Sequence, residues 1–291
     1  MGADTGNQRD PAEARQSKNN KEKGLMLDNL EIIKIEFPER KDITVYPLGD
    51  VHLGSFCCQE EKFAKLVERI ASEEDSYVFI IGDMLDNATK SAKVGVPWDN
   101  RLRPAEAKRL MANYLEPIRE KVLGVCSGNH EAGRNKDVDD DPMYDICAKL
   151  DIEDRYRESL AFVYLRFGDV GGKKGNTKTH PAYNICLTHG AGSSIYVGSS
   201  GARGERFISA TNADLLISGH THKPADIPGA RFKIDASHGR VTIEPWRYVV
   251  CSSWLDYTDY AAKAMLSPTA SVEQKIIIHG SEKRIDVIQS T

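Results

Sequence analysis

The sequence predicts an α/β fold: a parallel sheet built from βαβ units, with a second sheet packed on it. Three observations carry that prediction. Between residues 42 and 150, short apolar runs alternate with segments of helical spacing, the pattern of parallel βαβ units. Apolar runs also end, at five places, in a glycine- or threonine-headed cluster of Asp, Asn or His. The flanking regions hold many strand-like runs and few helical ones, which asks for a second sheet.

Taken in order, residues 1–24 are polar, mixed in charge and aperiodic, so they are expected to be a disordered tail, with 25–291 folding as a single domain. Residues 31–36 alternate like a strand, and 42–48 form a second strand ending at Gly49-Asp50. Residues 59–74 have helical spacing, with Phe63, Leu66, Val67 and Ile70 on one face. Residues 77–81 are a buried strand closed by Gly82-Asp83. Residues 104–121 read as one helix with Pro104 in its first turn, and 122–126 as a strand leading into Ser127-Gly128-Asn129-His130. Asp141 caps a helix that runs to about Leu150. Residues 162–167 and 183–187 flank a Gly/Lys-rich turn as a hairpin, and 213–218 is the next strand. Further strand-like runs lie at 231–235, 240–244, 247–251, 274–279 and 284–288.

The chain has 291 residues, 40% hydrophobic and 28% charged, enough for one large domain. A net charge of −4 leaves no basic footprint for nucleic acid, which weakens a nuclease reading, although bound divalent cations would add local positive charge. No run of apolar residues is long enough to span a membrane, and the N-terminus has no apolar signal core. The six cysteines form no Cys-x-x-Cys pair and read as reduced thiols, so a cytoplasmic location and no membrane partner are expected.

The chemistry is concentrated in the clusters. Five of the eight histidines fall in Gly49-Asp50-Val51-His52, Gly128-Asn129-His130-Glu131, Thr188-His189-Gly190 and Gly219-His220-Thr221-His222. A fifth cluster, Gly82-Asp83-Met84-Leu85-Asp86, has the same form without a histidine. A single histidine after a strand is more often structural, but five repeats of one arrangement deliver oxygen and imidazole ligands to one sheet edge. A metal site results, expected to hold two ions. Asp50 and His52 are two residues apart, as are His220 and His222, so each pair needs a turn to converge.

The order of these motifs over residues 49–222 resembles the calcineurin-like metallophosphoesterase superfamily. The resemblance implies a four-layer α/β/β/α sandwich of two mixed sheets, with metals at the carboxyl ends of the strands. It implies that Asp50, His52 and His222 hold one metal, that Asn129, His189 and His220 hold the other, and that Asp83 bridges them. A metal-bridging hydroxide would then attack phosphorus, with charge developing towards the metals and the Asn129 amide. His130 would protonate the leaving oxygen as general acid, and Asp86 matches the position that orients it. The implied cofactors are two divalent transition-metal ions (Mn, Fe or Zn), with manganese expected to support activity.

The expected reaction is hydrolysis of a phosphodiester, nucleic acids and nucleotides being the substrates considered. A phosphomonoesterase acting on protein or small molecules is the alternative, and a non-catalytic protein-interaction scaffold the second. Asn87-Ala88 stands where the protein Ser/Thr phosphatases carry an Arg, and Glu131 replaces the final Asp of the repair-nuclease motif. Thr221, and the stretch Asp259-Tyr260-Ala261, are similar to bacterial and phage phosphoesterases. Substrate contacts are expected from Asn129, Arg134, Arg203 and Arg206. Two segments are expected to shape specificity: 90–104, with Lys93, Pro97, Trp98, Arg101 and Arg103, and 190–206, read as a Gly/Ser loop able to wrap a phosphate. The acidic run at Asp137 and Asp139 to Asp141 reads as a solvated helix approach.

Overall fold

The apolar runs become two sheets of six strands each in the computed structural model, which describes residues 31–87, 100–168, 180–192, 197–257, 262 and 267–291. The expected tail at 1–24, most of segment 90–104 and the 259–261 stretch lie outside these residues.

One sheet, here the β2 sheet, is built on three parallel strands: β2 (Ile43–Leu48), β3 (Ser76–Ile80) and β4 (Val122–Cys126). The short β5 (Tyr156–Arg157) extends it on one side, and antiparallel β11 (Glu273–Ile278) and β12 (Ile285–Ser290) extend it on the other. The second, the β7 sheet, has the order β1 (Ile33–Phe37), β6 (Leu160–Phe167), β7 (Ala182–Thr188), β8 (Leu215–Ser218), β10 (Arg240–Val250) and β9 (Ala225–Asp235). Strands β6 and β7 are the expected hairpin, antiparallel through seven register pairs.

Both faces of the β2 sheet are covered, which is why Tyr77 to Ile81 reads as an unbroken apolar run rather than an alternating one. Val45, Phe79, Ile81 and Leu123 face the β7 sheet and meet Val163, Leu165, Ile185, Leu187 and Val249. Leu48, Val78 and Ile80 face outward onto three helices, α1 (Glu60–Ser72), α2 (Pro104–Leu115) and a later helix at Pro142–Lys149. Helix α1 buries Phe63, Leu66, Val67 and Ile70, the face its spacing predicted, and each such side chain contributes about 1.5–3 kcal/mol of burial. The outer face of the β7 sheet, with Leu216, Trp246 and Tyr248, packs on Ile208 of the helix Val197–Ser209. The result is the α/β/β/α sandwich. None of the described helices is long and apolar enough to cross a membrane.

Four expectations change. The helix at 104–121 is α-helical only to Leu115 and continues as a 3-10 turn, Glu116–Lys121, because Pro117 has no N–H for the next α-helical bond. A helix not foreseen, α3 (Asn129–Val138), starts inside the Gly-Asn-His-Glu motif and precedes α4 (Pro142–Lys149). The runs at 240–244 and 247–251 are one strand, β10. Pro245 interrupts neither it nor its register, since β8 pairs only with Arg247–Val250 and stops short of that position. Finally, 190–206 is not a loop throughout. Residues Val197–Ser209 form α5, so they cannot wrap an anion as a Gly/Ser loop. Two of its glycines serve packing: a Cβ at Gly204 would sit 2.0 Å from the Tyr248 ring and one at Gly201 3.1 Å from Ile227.

The acidic run is structural. Asp139 ends α3 in a left-handed conformation, Asp140 pairs with Lys108 and Arg134, and Asp141 caps α4 by accepting from the Tyr144 N–H at 3.0 Å.

Candidate metal centre

The five clusters follow the carboxyl ends of β2, β3, β4, β7 and β8, and their backbones interlock before any side chain is considered. The Asp50 N–H donates to Gly82 O at 3.0 Å and the His52 N–H to Asp83 O at 2.9 Å, stitching the first loop to the second. The Gly219 N–H donates to His189 O at 3.0 Å, stitching the fourth to the fifth. Eight non-glycine residues among those described have left-handed φ, and five are Asp50 (51°), His52 (52°), Asp83 (49°), His220 (71°) and His222 (54°). Each such conformation costs about 1–3 kcal/mol and persists only where the surroundings impose it. The turns needed to bring Asp50 to His52 and His220 to His222 are therefore present, built from strained ligand residues. Gly82 and Gly128 permit the crossing of two loops: a Cβ on Gly82 would lie 2.2 Å from Gly128 N, and one on Gly128 2.1 Å from Asp83 Oδ1.

Among the described residues three candidate ligand groups result, Asp50–His52–His222, Asp83–His189–His220 and, sharing His52, His52–Asp86–His130, each with ligand atoms within 4.8 Å of one another. In the first, His52 Nε2 and His222 Nε2 are 3.2 Å apart and Asp50 Oδ1 is 3.4 Å from His222 Nε2. In the second, Asp83 Oδ2 is 3.1 Å from His189 Nε2, and Asn129 Oδ1 is 3.0 Å from His189 Nε2 and 2.6 Å from His220 Nδ1. Asp83 Oδ2 also lies 3.9 Å from His52 Nε2, so one carboxylate oxygen faces both the first and the second group.

Backbone carbonyls fix which ring nitrogen His189 and His220 present. His189 Nδ1 donates to Ile81 O at 2.8 Å and His220 Nε2 donates to Gly192 O at 2.9 Å. In their neutral forms His189 thus presents an Nε2 lone pair and His220 an Nδ1 lone pair, both beside the Asn129 oxygen. Lone pairs and carboxylates gathered this closely repel unless positive charge sits among them. Oxygen and imidazole donors of this kind suit a divalent transition metal, so the residues fit the cations the motifs implied.

The electrostatics agree. Asp50 and Asp83 are buried to within 2% exposure. Burial pushes Asp83 up, but the His189, His130 and His52 imidazoles outweigh it and hold the carboxyl far below its usual range. Burial works against a charged His189, yet Asp83 and Asp50 push it up to about 10. The pocket draws in a proton, which is the demand a cation would meet.

His130 sits at the rim, 27% exposed. Its backbone N–H donates to Asp83 Oδ1 at 2.9 Å, and its Nδ1 donates to the backbone carbonyl of Asp86 at 2.5 Å, leaving Nε2 4.0 Å from Asp83 Oδ2. The Asp86 carboxylate lies nearer His52 (3.5 Å to Nδ1) than His130 (3.8 Å). Asp86 therefore meets His130 through its main chain and His52 through its side chain.

Glu131 is the residue that sequence reasoning passed over. Fully buried, it accepts from the Asp83 N–H (2.9 Å), the Leu85 N–H (2.9 Å) and the Gly128 N–H (3.0 Å), tying the second cluster to the third. Burial, reinforced by Asp83, pushes its carboxyl up to about 7. A signal existed: Glu three residues after a helix N-cap is a capping-box position, here serving the Gly128 N–H.

The expected substrate arginines are dispersed. Arg134 Nε donates to Asp140 at 2.6 Å, so its charge has a protein partner. Arg203, on α5, places its guanidinium over Gly192, whose carbonyl holds His220. Arg206 is an exposed residue of the same helix. Arg101 pairs with Glu60, and the Arg103 N–H donates to Glu106 at 3.0 Å. All six cysteines are free thiols, and none of the metal-ligand groups among the described residues includes one.

Comparison with known proteins follows this geometry. Solved structures similar to the chain include a metallophosphoesterase from Sphaerobacter thermophilus (13% identity, TM-score 0.39, 86% of this chain and 89% of that one). They also include a predicted phosphoesterase from Streptococcus pneumoniae (12%, TM-score 0.36, 85% and 89%) and zinc-complexed Vps29 from Entamoeba histolytica (13%, TM-score 0.35, 85% and 98%). The search of curated proteins gives no match. A family model, described as calcineurin-like phosphoesterase, matches residues 43–224, more than half of the sequence and all five clusters. The chain belongs to the calcineurin-like phosphoesterase family.

Proposed function

We propose that the protein hydrolyses a phosphodiester with the help of two divalent cations, held by Asp50, His52 and His222 on one side and by Asn129, His189 and His220 on the other, with Asp83 shared. The observation that carries this reading is Asp83 Oδ2 standing 3.1 Å from His189 and 3.9 Å from His52, one oxygen facing both ligand groups. Bound there, the cations would neutralise phosphoryl charge and acidify a water at neutral pH.

The chain's own residues supply the rest. Asn129 turns its amide oxygen to His189 and His220, which leaves its NH2 to donate to a phosphoryl oxygen. His130 holds a proton for the leaving oxygen on Nε2, its ring fixed by the Asp86 carbonyl. Burial disfavours charged His130, but Asp83 and the Asp86 carbonyl outweigh this and raise its pKa, as suits an acid. The Ile81 carbonyl aims His189 from behind, and the Asp86 carboxylate faces His52 Nδ1 at 3.5 Å.

A diester is favoured because Arg134 and Arg101, near the motifs in sequence, already have carboxylate partners. A dianionic monoester would ask for more free cationic side chains than a monoanionic diester. A net charge of −4 favours a small or nucleotide-type diester over long nucleic acid. Complete ligand positions and a poised His130 favour catalysis over a scaffold role.

The test is an assay with Mn²⁺ of a bis-aryl phosphodiester, an aryl phosphomonoester, cyclic nucleotides, and single- and double-stranded DNA. The diester or cyclic nucleotide should have the highest kcat/KM. Preference for the monoester would replace this reading with a phosphatase, and no turnover on any substrate with metal bound would favour the scaffold.

A further inference from the structure

The hairpin of β9 and β10 outruns the sandwich it grows from. At its base it belongs to the core: Val249 is fully buried between the sheets, while Trp246 and Tyr248 pack towards α5. The Arg247–Asp226 ion pair, 2.6 Å, marks a boundary on the Val249 face. Beyond it the same face continues with Ala230, Phe232 and Ile234 on β9, opposite Pro245, Ile243 and Val241 on β10. Every one of these six is apolar. The four large ones are 78% (Phe232), 77% (Ile234), 61% (Val241) and 68% (Ile243) exposed. The opposite face at the same level is charged, with Lys233 paired to Glu244 at 2.6 Å and Asp235 to Arg240 at 3.4 Å. One side of the arm is thus finished for water and the other is not.

We infer that this apolar face is a homodimerisation surface, covered by the same face of a second copy of the chain. The four large side chains offer roughly 500 Å² per copy, at the upper end of the apolar patch an ordinary monomer carries. Two such faces bury about 1,000 Å² in all, the lower limit for a specific interface, and Ala230, Pro245 and Pro228 extend the contact. Two flat twisted ribbons stack face to face at about 10 Å, and a two-fold axis between them lets one self-complementary patch serve both copies.

Other occupants fit less well. Pairing along the edge of β9 would leave the apolar face wet, and that edge carries Pro228, without an N–H, and charged Lys233. End-on insertion into a membrane would first bury the polar tip, where Asp235 accepts from Ser237 and from the His238 N–H. That tip has neither the basic cluster nor the aromatic anchors of an interfacial segment.

The experiment is sedimentation velocity of the full chain from about 1 to about 200 µM, beside Phe232→Glu/Ile243→Glu. The wild type should pass from monomer to dimer across this range, and the double variant should stay monomeric with an unchanged melting temperature, since both side chains are solvent-exposed in one copy. Should that variant fail to fold, Val241→Lys alone should weaken the dimer at least tenfold. A wild type that stays monomeric throughout, or a dimer that survives these substitutions, overturns the inference.

Discussion

The two sheets contribute unequal halves of the metal centre. In the β2-sheet half Asp50, His52 and Asp83 are at most 3% exposed, whereas Asn129, at the start of α3, is exposed. Backbone bonds between its loops hold it, and Glu131 anchors it from below. In the β7-sheet half only His189 is comparably buried; His222 is 35% exposed, and His220 is held by the carbonyl of exposed Gly192. The inner residues are held by loop-to-loop backbone bonds, whereas His220 and His222 are partly open to solvent. Burial is thus concentrated in Asp50, His52, Asp83 and His189, and exposure in Asn129, His220 and His222.

Substitutions on the inner side should cost most. Asp83→Asn should lower kcat/KM by about 10³-fold or more and reduce bound metal from two ions to at most one, read by mass spectrometry of the purified protein. Two ions with near-normal turnover would show that the halves do not depend on a shared carboxylate. Next comes His130→Ala, which should reduce kcat by about 10²–10⁴-fold with both ions retained, most strongly for poor leaving groups. Loss of metal in that variant would move His130 into the ligand set.

Glu131→Ala tests whether the inner half is held from below. It strands three buried N–H groups at about 1–3 kcal/mol each, so the melting temperature should fall and metal affinity drop about 10–100-fold. Glu131→Gln, which keeps an acceptor oxygen, should lose less. Equal, small losses in both would make the tie incidental.

The mildest effect is one of pH. Without metal, His189 has a folded pKa raised to about 10, above its unfolded value. Its contribution to apo stability is complete below about pH 6.5 and is lost as pH rises through about 10. A cation must displace that proton, so apparent metal affinity should rise about tenfold per pH unit between about pH 7 and 9, seen by calorimetry with proton release. A flat profile would mean that His189 is neutral before metal arrives.

Much of this was legible in the chain. The strand-end clusters hold every residue of the three candidate ligand groups, and the run of apolar and helical periods gave the layers. What stayed hidden depends on contacts distant in sequence. That His189 presents Nε2 but His220 presents Nδ1 is decided by Ile81 and Gly192, and no local pattern encodes it. Asp and His tolerate a left-handed φ better than most non-glycine residues, but that Asp50, His52, Asp83, His220 and His222 adopt it is decided by the loop crossings. Helix α5 was masked by glycines, yet Gly201 and Gly204, three residues apart, share a helical face that packs closely on Ile227 and Tyr248. Glu131 is readable only once α3 is known to begin at Asn129.

The shared Asp83 carries the account, and anomalous diffraction from crystals grown with Mn²⁺ tests it most directly. Two peaks about 3.5–4 Å apart, with an Asp83 oxygen between them, one beside His52 and His222 and the other beside His189 and His220, is the predicted result. A single peak, or two peaks that Asp83 does not join, would contradict it.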